Sequence, residues 1–325
     1  MTENMPTRTH DPRALAALRA AQMYYLQDLT METIAAELHA SRSTVSRLLS
    51  HARETGLVDI QVRSPFAAGA PLERSLSDRY RVVAHVVPAP ATLSEIDRLE
   101  RVALTAARLL GRFVDSNMTI GVAWGSTMGA ISRHLVPKDV HNTYVVQLNG
   151  AGNTQTTGIE YASEILRRFS DAYAARVQQF PVPALFDDPA TKEAFWRERG
   201  TRRLLEIQSR MDIAVFGLGS PFAGVPSQVY VGGYLDEADY ASLSGDGVVG
   251  DVATVFYRID GTYRDVVLNA RATGPDFDVL RRVARRVCVV AGEQKLASLQ
   301  GALAAGIVTD LVLDEGLARR LVESS

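Results

Sequence analysis

Four stretches of this 325-residue chain carry groups able to hold an anion or a hydroxyl-rich molecule. In "TIGVAWGSTMGAISRHL", Gly125, Ser126 and Thr127 fall where a strand pattern turns into a helical one. Free backbone N–H groups, two hydroxyls and the positive end of a helix dipole make such a turn an anion pocket, although a plain capping turn has the same composition. "LNGAGNTQTTG" follows another strand pattern and offers Asn149, Gly150, Asn153, Gln155 and Thr156. "FGLGSPFAG" follows the strand pattern "MDIAV", and "VVAGEQK" brings Lys295 onto the first turn of a helix, as a phosphate contact or as a solvated lysine. In an open parallel sheet, ligands sit at the carboxyl ends of the strands, so these loops are expected to converge.

A different chemistry lies near the start, in "TIAAELHASRSTVSRLLSHARETGLVDIQV" (Thr33 to Val62). Ser41, Arg42, Ser43, Thr44, Ser46 and Arg47 are short hydroxyls and arginines at the head of a helical pattern, suited to base edges and phosphates of double-stranded DNA. From Met1 to Ser64 seven Arg face seven Asp and Glu, so the region is not basic overall. Its charge is polarised instead: Arg42, Arg47 and Arg53 share one helix with only Glu54 against them. A bundle with merely solvated arginines is the bland alternative. His39 stands where such a turn often has glycine, and His tolerates positive φ better than most residues.

The elements that must position these groups follow from apolar spacing. "DPRALAALRAAQMYYLQDL" reads as a first helix with Leu15, Leu18, Met23 and Leu26 among its apolar positions. Thr30 caps a short second helix whose Ile34, Ala35 and Leu38 face inward, with a small Ala35 or Ala36 allowing close approach. After the turn "HAS", Ser41 caps a third helix anchored by Val45, Leu48 and Leu49, a helix-turn-helix arrangement. "GLVDIQV" reads as a short strand. This predicts a DNA-binding domain over 1–62, a linker over 63–71 ("RSPFAAGAP") and an effector-binding and oligomerisation domain over 72–325. In the last region "VVAHVV", "MTIGVAW", "YVVQLNG", "ARVQQFPV", "MDIAVFGLG", "CVVAG" and "TDLVLD" read as strands. They alternate with helical patterns such as "SEIDRLERVALTAARLLGRF", which predicts an α/β fold with a mostly parallel sheet covered by helices on both faces.

Composition removes several classes. Cys288 is the single cysteine, in the apolar run "RVCVVAG", which excludes a disulfide framework and a cysteine zinc site. No metal site and no cofactor are expected. No segment is long and apolar enough to span a bilayer, and "MTENMPTRTHDPR" is not a signal peptide, so a cytoplasmic protein is expected. A net charge of −2 leaves nucleic-acid binding to the local pattern alone.

"SRSTVSRLL", "GVAWGST", "VVQLNGAG", "GVVGDVATVFYRIDG" and "AGEQKLASLQGALAAGIVTDLVLDEGLARRLVE" occur in this order along nearly the whole chain. In them the chain resembles the SorC/DeoR-like family of sugar-binding transcriptional regulators. The resemblance implies a helix-turn-helix joined to a Rossmann-like domain related in fold to glucosamine-6-phosphate deaminase and ribose-5-phosphate isomerase. It further implies a phosphorylated sugar or sugar derivative as effector, operator DNA as partner, and a homo-oligomer, dimer or tetramer. On matching positions Gly125, Ser126 and Thr127 would grip phosphate, Lys295 would lie near the effector, and Asp251 occupies a recurrent position. A lysine on the "LNGAGNT" loop could form a Schiff base with an aldehyde sugar. This chain has Asn149 and no lysine there, which favours noncovalent hydrogen bonding through Asn149, Asn153, Gln155 and Thr156.

Three alternatives remain at this point. An isomerase or deaminase on the same fold would need a positioned acid or base, yet "FGLGSPFAG" has Ser220 and Pro221 where an Asp-Gly-His would be sought, and spacing pairs none of Asp251, Asp265 and Glu293. An adaptor would use Tyr24 and Tyr25 as a contact face. A regulator sensing an unphosphorylated polyol differs only in leaving the Gly125 turn without an anion.

Overall fold

The computed structural model describes residues 12–58, 69–221 and 227–324. The chain divides into two compact units, Met1–Pro65 and Phe66–Ser325. In the first, three helices are described: α1 (Pro12–Tyr25), α2 (Met31–Glu37) and α3 (Arg42–Glu54). Thr30 and Ser41 cap α2 and α3, each hydroxyl accepting from the N–H three residues on. Between them His39 adopts φ +48° in the turn, the conformation glycine usually supplies. Ile34, Ala35, Val45, Leu49 and Ala52 form the core with Ala17, Ala20, Ala21 and Met23 of α1.

Leu15, Leu18 and Leu26 are exposed, the last by 78%. The face of α1 turned to the core is thus largely the alanine face, because α1 packs along α3 and small side chains allow that approach. The expected strand "GLVDIQV" falls from residue 59 onward outside the described residues. The expected linker of 63–71 ends earlier than its composition suggested, since Gly69–Pro71 is already the first turn of a helix. Gly69 is buried against Val86, and a proline is tolerated in a first turn, where its missing N–H has no helical partner to lose.

That helix is α4 (Gly69–Tyr80), followed by β1 (Val83–Val87), α5 (Glu95–Phe113), β2 (Thr119–Val122), α6 (Ser126–Arg133), β3 (Tyr144–Gln147), α7 (Ile159–Tyr173) and β4 (Arg176–Gln178). Next come α8 (Pro189–Trp196), α9 (Arg199–Gln208), β5 (Ile213–Phe216), α10 (Gln228–Val231), α11 (Glu237–Gly245), β6 (Val248–Val252) and β7 (Val255–Arg258). The unit ends with α12 (Phe277–Arg282), β8 (Arg285–Val290), α13 (Leu296–Ala304), β9 (Asp310–Asp314) and α14 (Glu315–Glu323).

Seven strands form one sheet in the order β1-β9-β8-β5-β2-β3-β4, and every pairing in it is parallel. Consecutive residues of β5 (Ile213, Ala214, Val215, Phe216) and of β9 are all buried. Successive side chains point to opposite faces, so both faces of the sheet are covered, as its parallel strands require. From β2 the chain steps outward to β3 and β4, then returns to β5 on the other side of β2 and proceeds to β8 and β9. The order therefore reverses between β2 and β5, and a crevice opens at the carboxyl ends of strands where it does. The antiparallel hairpin β6–β7 stands apart from the sheet and was not among the expected strands.

Candidate functional site

At the reversal, the loops after β2, β3 and β5 meet the hairpin β6–β7 and the turn before α13. The cleft they form is lined by Trp124, Gly125, Ser126, Thr127, Asn149, Leu218, Gly219, Ser227, Asp251, Thr254 and Lys295, among others. Gly125 is the N-cap of α6 at φ +132°, and no side chain caps that end. The first N–H groups of α6 thus lie at the cleft without a capping side chain, at the positive end of the helix dipole, beside the hydroxyls of Ser126 and Thr127. A Cβ on Gly217 would sit 2.9 Å from Thr127 Oγ1, so the absence of a side chain there lets β5 close against the turn.

Gly219 has a stricter reason to be glycine. Its backbone pairs antiparallel with Asp251, the Gly219 N–H donating to the Asp251 carbonyl at 2.9 Å, and an added Cβ would lie 1.6 Å from Asp251 Oδ1. This bridge brings the hairpin to the cleft. The two-residue loop of the hairpin is Ala253–Thr254, at φ +48° and +67°. Both residues of such a tight turn need positive φ, normally met by Asn-Gly. A β-branched threonine there is strained by roughly 1–3 kcal/mol. The strained turn points the Thr254 N–H at Asp251 Oδ2, 3.1 Å away, and Thr254 Oγ1 donates to the Ala253 carbonyl at 2.6 Å.

Asp251 is buried, and its Oδ1 has no hydrogen-bond partner; the hydroxyl of Tyr230, equally buried, also has none. Burial raises the Asp251 carboxyl from its usual 3.8 to about 6, against the opposing pull of the Thr254 N–H and the Lys295 charge. Lys295 is held inward, its Nζ donating to the Leu218 carbonyl and to Ser227 Oγ (3.3 Å). Burial lowers its pKa, and the charge of Asp251 works the other way. Asn149, at the end of β3, is 1% exposed, and its Oδ1 is a buried acceptor without a donor. The cleft thus has an N–H-rich end at α6, one inward lysine, and two buried acceptor oxygens that nothing in the protein satisfies.

Of the ten effector candidates read from sequence, six line this cleft: Gly125, Ser126, Thr127, Asn149, Asp251 and Lys295. The other four do not. Gly150 is glycine because a Cβ would lie 2.1 Å from the Pro183 carbonyl, and its N–H goes to Thr273 Oγ1. Asn153 makes its own turn, Oδ1 accepting from the N–H groups of Gln155 and Thr156, while its Nδ2 reaches the Gly232 carbonyl at 2.5 Å. Thr156 Oγ1 accepts from the Gly158 N–H, and Gln155 is exposed beside Gly233. These residues border a separate depression with Pro181, Val182 and Pro183.

The residues that sequence reading missed include Trp124, Leu218, Ser227 and Thr254. Trp124 stood inside the quoted "GVAWGST". In the structure its indole N–H donates to the Gly150 carbonyl at 2.7 Å, and its ring stacks on Tyr234 with centroids 5.1 Å apart. Leu218 lay in the quoted loop "FGLGS". No local signal marks Thr254, whose part rests on a backbone angle.

In the first unit, Arg42, Ser43, Ser46 and Arg47 are exposed along the start of α3, and Thr44 is half-buried. Ser41 is occupied by the cap, its Oγ also lying 2.8 Å from Ser43 Oγ. Arg42 pairs with Glu32 of α2 at 3.1 Å, both side chains well exposed, a contact that water and salt largely screen. Arg47 lies back along its own helix, NH2 donating to Thr44 Oγ1 at 3.3 Å.

Residues 64–323 match the family model of the sugar-binding domain (Sugar-bind), and residues 21–55 match sigma-70, region 4. The chain is 32% identical over 309 residues to the deoxyribonucleoside regulator of Bacillus subtilis, covering 94% of this chain and 96% of that protein. A solved domain of a possible sugar-binding transcriptional regulator from Arthrobacter aurescens TC1 is 58% identical, with a TM-score of 0.75, over 80% of this chain and all of that one. The full-length sorbitol operon regulator SorC of Klebsiella pneumoniae superposes with a TM-score of 0.76 at 24% identity, covering 97% of this chain and all of that one, a likeness of fold.

Proposed function

This chain belongs to the SorC/DeoR-like family of sugar-binding transcriptional regulators, and from that premise we propose that it is a DNA-binding regulator controlled by a phosphorylated sugar or sugar derivative. The observation that carries the effector reading is the convergence at one cleft of the α6 N-terminus, which no side chain caps, and the inward Lys295. Anions are held at such helix ends by backbone N–H groups and the dipole together. Gly125, Ser126 and Thr127 hold the phosphate, with Lys295 beside it; Asn149 and Asp251 face the rest of the molecule. Arg42, Ser43, Thr44, Ser46 and Arg47 contact operator DNA, and Ser41 acts through its cap. Gly150, Asn153, Gln155 and Thr156 carry no effector role in this reading.

The protein works as a homo-oligomer in the cytoplasm, and effector binding alters how its subunits present their DNA-binding units. A coupling of about 1–3 kcal/mol is typical of such switches. Thermal-shift titration with matched phosphorylated and unphosphorylated sugars tests the effector class, and a ligand at a hundred times its dissociation constant adds about 2.7 kcal/mol. Stabilisation by phosphorylated members alone, lost in Thr127→Leu, supports the reading. Stabilisation by free sugars alone overturns it. Selection from random duplex DNA with and without the stabilising ligand then tests operator control.

One observation favours a second reading. Asp251, at about 6, sits in the range useful to a general acid or base, as an isomerase-like enzyme of this fold would require. Turnover of a stabilising sugar phosphate, abolished in Asp251→Asn, would establish that reading; its absence favours the binding protein.

A further inference from the structure

Two acceptors face the cleft with no donor to meet them, Asn149 Oδ1 and Asp251 Oδ1. A buried acceptor left without a partner is costly, so each such atom in a native structure calls for an explanation. The surroundings do not provide one from within. Lys295, the nearest cation, spends its donors on Leu218 and Ser227. The Thr254 N–H is committed to the other carboxylate oxygen, Oδ2. Asn149 is fixed by its backbone, whose carbonyl accepts from Gln147 Nε2 at 2.7 Å, so the amide group cannot easily turn away to find solvent. Tyr230, packed against Asp251 from α10, offers one hydroxyl proton to that carboxylate after a small shift, but it does not line the cleft and cannot serve Asn149.

We propose that Asn149 and Asp251 are specificity-determining acceptors for hydroxyl groups at the end of the effector remote from its anion. Resting on the sugar-phosphate reading above, this narrows the effector to one that keeps its hydroxyls at that end, and it makes the cleft discriminate against deoxy sugars. The asymmetry follows from general hydrogen-bond energetics. A site built to bond a hydroxyl rejects the analogue lacking it far more strongly than an apolar site rejects an extra group, because the protein's polar atoms stay buried and unpaired. The strained Ala253–Thr254 turn belongs to the same device. By engaging Oδ2 it leaves Oδ1 as the oxygen that awaits a donor.

The test is binding of matched pairs by the full chain, read by calorimetry: ribose 5-phosphate against 2-deoxyribose 5-phosphate, and glucose 6-phosphate against 2-deoxyglucose 6-phosphate. At least one hydroxylated member is expected to bind, and at least tenfold tighter than its deoxy partner. Asn149→Leu, nearly isosteric and apolar, should compress that ratio to about threefold or less. Should it fold poorly, Asn149→Ala and Asp251→Asn carry the same comparison. Thr127→Leu should weaken both members of a pair and leave their ratio intact, separating the phosphate end from the hydroxyl end. Equal or tighter binding of the deoxy member by the unaltered chain overturns the proposal, as does a ratio that survives at both Asn149 and Asp251. Failure of every hydroxylated member to bind overturns it too. If instead ribose and glucose bind as well as their phosphates do, the anion reading falls, and ribose against 2-deoxyribose still decides the hydroxyl proposal.

Discussion

Replacing Asp251 by Asn should change how stability depends on pH by an amount the structure sets. In the folded chain burial raises this carboxyl to about 6, whereas in the unfolded chain it titrates near its usual 3.8. A folded value above the unfolded one means that folding disfavours the carboxylate. The associated stability is present in full below the unfolded value and is lost as pH rises through the window from about 4 to 6. At 1.36 kcal/mol for each tenfold change in proton affinity, the accumulated loss is about 1 kcal/mol at pH 4.5 and about 3 kcal/mol at pH 7.5. The side chain is 4% exposed, so solvent does not screen this down.

The amide introduced by Asp251→Asn titrates nowhere in the window, and the other groups titrate alike in both proteins. Tyr230 and Tyr257, raised well above their usual 10 by burial, stay neutral throughout. The difference between wild type and Asp251→Asn in unfolding free energy should therefore shift by about 2 kcal/mol between pH 4.5 and 7.5, wild type faring relatively better in acid. Urea unfolding followed by tryptophan fluorescence measures it. Both tryptophans, Trp124 and Trp196, lie in the effector unit, so the signal reports the unit that holds the carboxyl. Parallel pH profiles, agreeing within about 0.5 kcal/mol, would refute the claim that Asp251 carries an uncompensated charge.

Gly219→Ala places a Cβ on Asp251 Oδ1 and should cost about 2–3 kcal/mol in urea unfolding. Gly125→Ala, with no atom within 4 Å of its added carbon, meets only the backbone strain of its φ and should cost roughly 1–2 kcal/mol. Arg47→Ala should weaken operator binding by about 1–3 kcal/mol if it reads a base edge. A phosphate contact would instead lower the slope of log affinity against log salt by about one, and fluorescence anisotropy over a salt series separates the two. Ser41→Ala removes the cap of α3 and should cost the first unit about 1 kcal/mol, seen by circular dichroism melting.

Much of this was legible because parallel strands buried on both faces read as short apolar runs, as "DIAVF" and "DLVLD" do here. Helix caps were legible for the same local reason: Thr30 and Ser41 act on their own backbone. What spacing missed depends on partners distant in sequence. It favoured Leu15, Leu18 and Leu26 by size, while α1 buries alanines because α3 lies close. It grouped Asn149 with Asn153, Gln155 and Thr156 because they share a loop, yet the loop's later part bonds to itself and to Gly232, while Asn149 remains at the strand end. The hairpin β6–β7 escaped notice because its turn is Ala-Thr rather than a residue pair that prefers positive φ. Asp251 entered through family resemblance, and only the Gly219 bridge explains how it reaches the cleft.

The placement of β9 has a consequence for synthesis. β9 lies between β1 and β8, so the first strand of the sheet pairs only with its last. On the ribosome, β1 and the helix α4 that packs on it must wait through more than two hundred residues for their neighbour. The three short helices before them need only contacts close in sequence and can fold at once. A nascent chain therefore presents a finished DNA-reading head well before its effector unit can close. Any message truncated ahead of Asp310 would leave both β1 and β8 with bare edges, open to pairing with a second copy and to removal by proteolysis. The last strand made is the one that joins the two flanks of the unit, so a closed sheet certifies that the message was read through to β9.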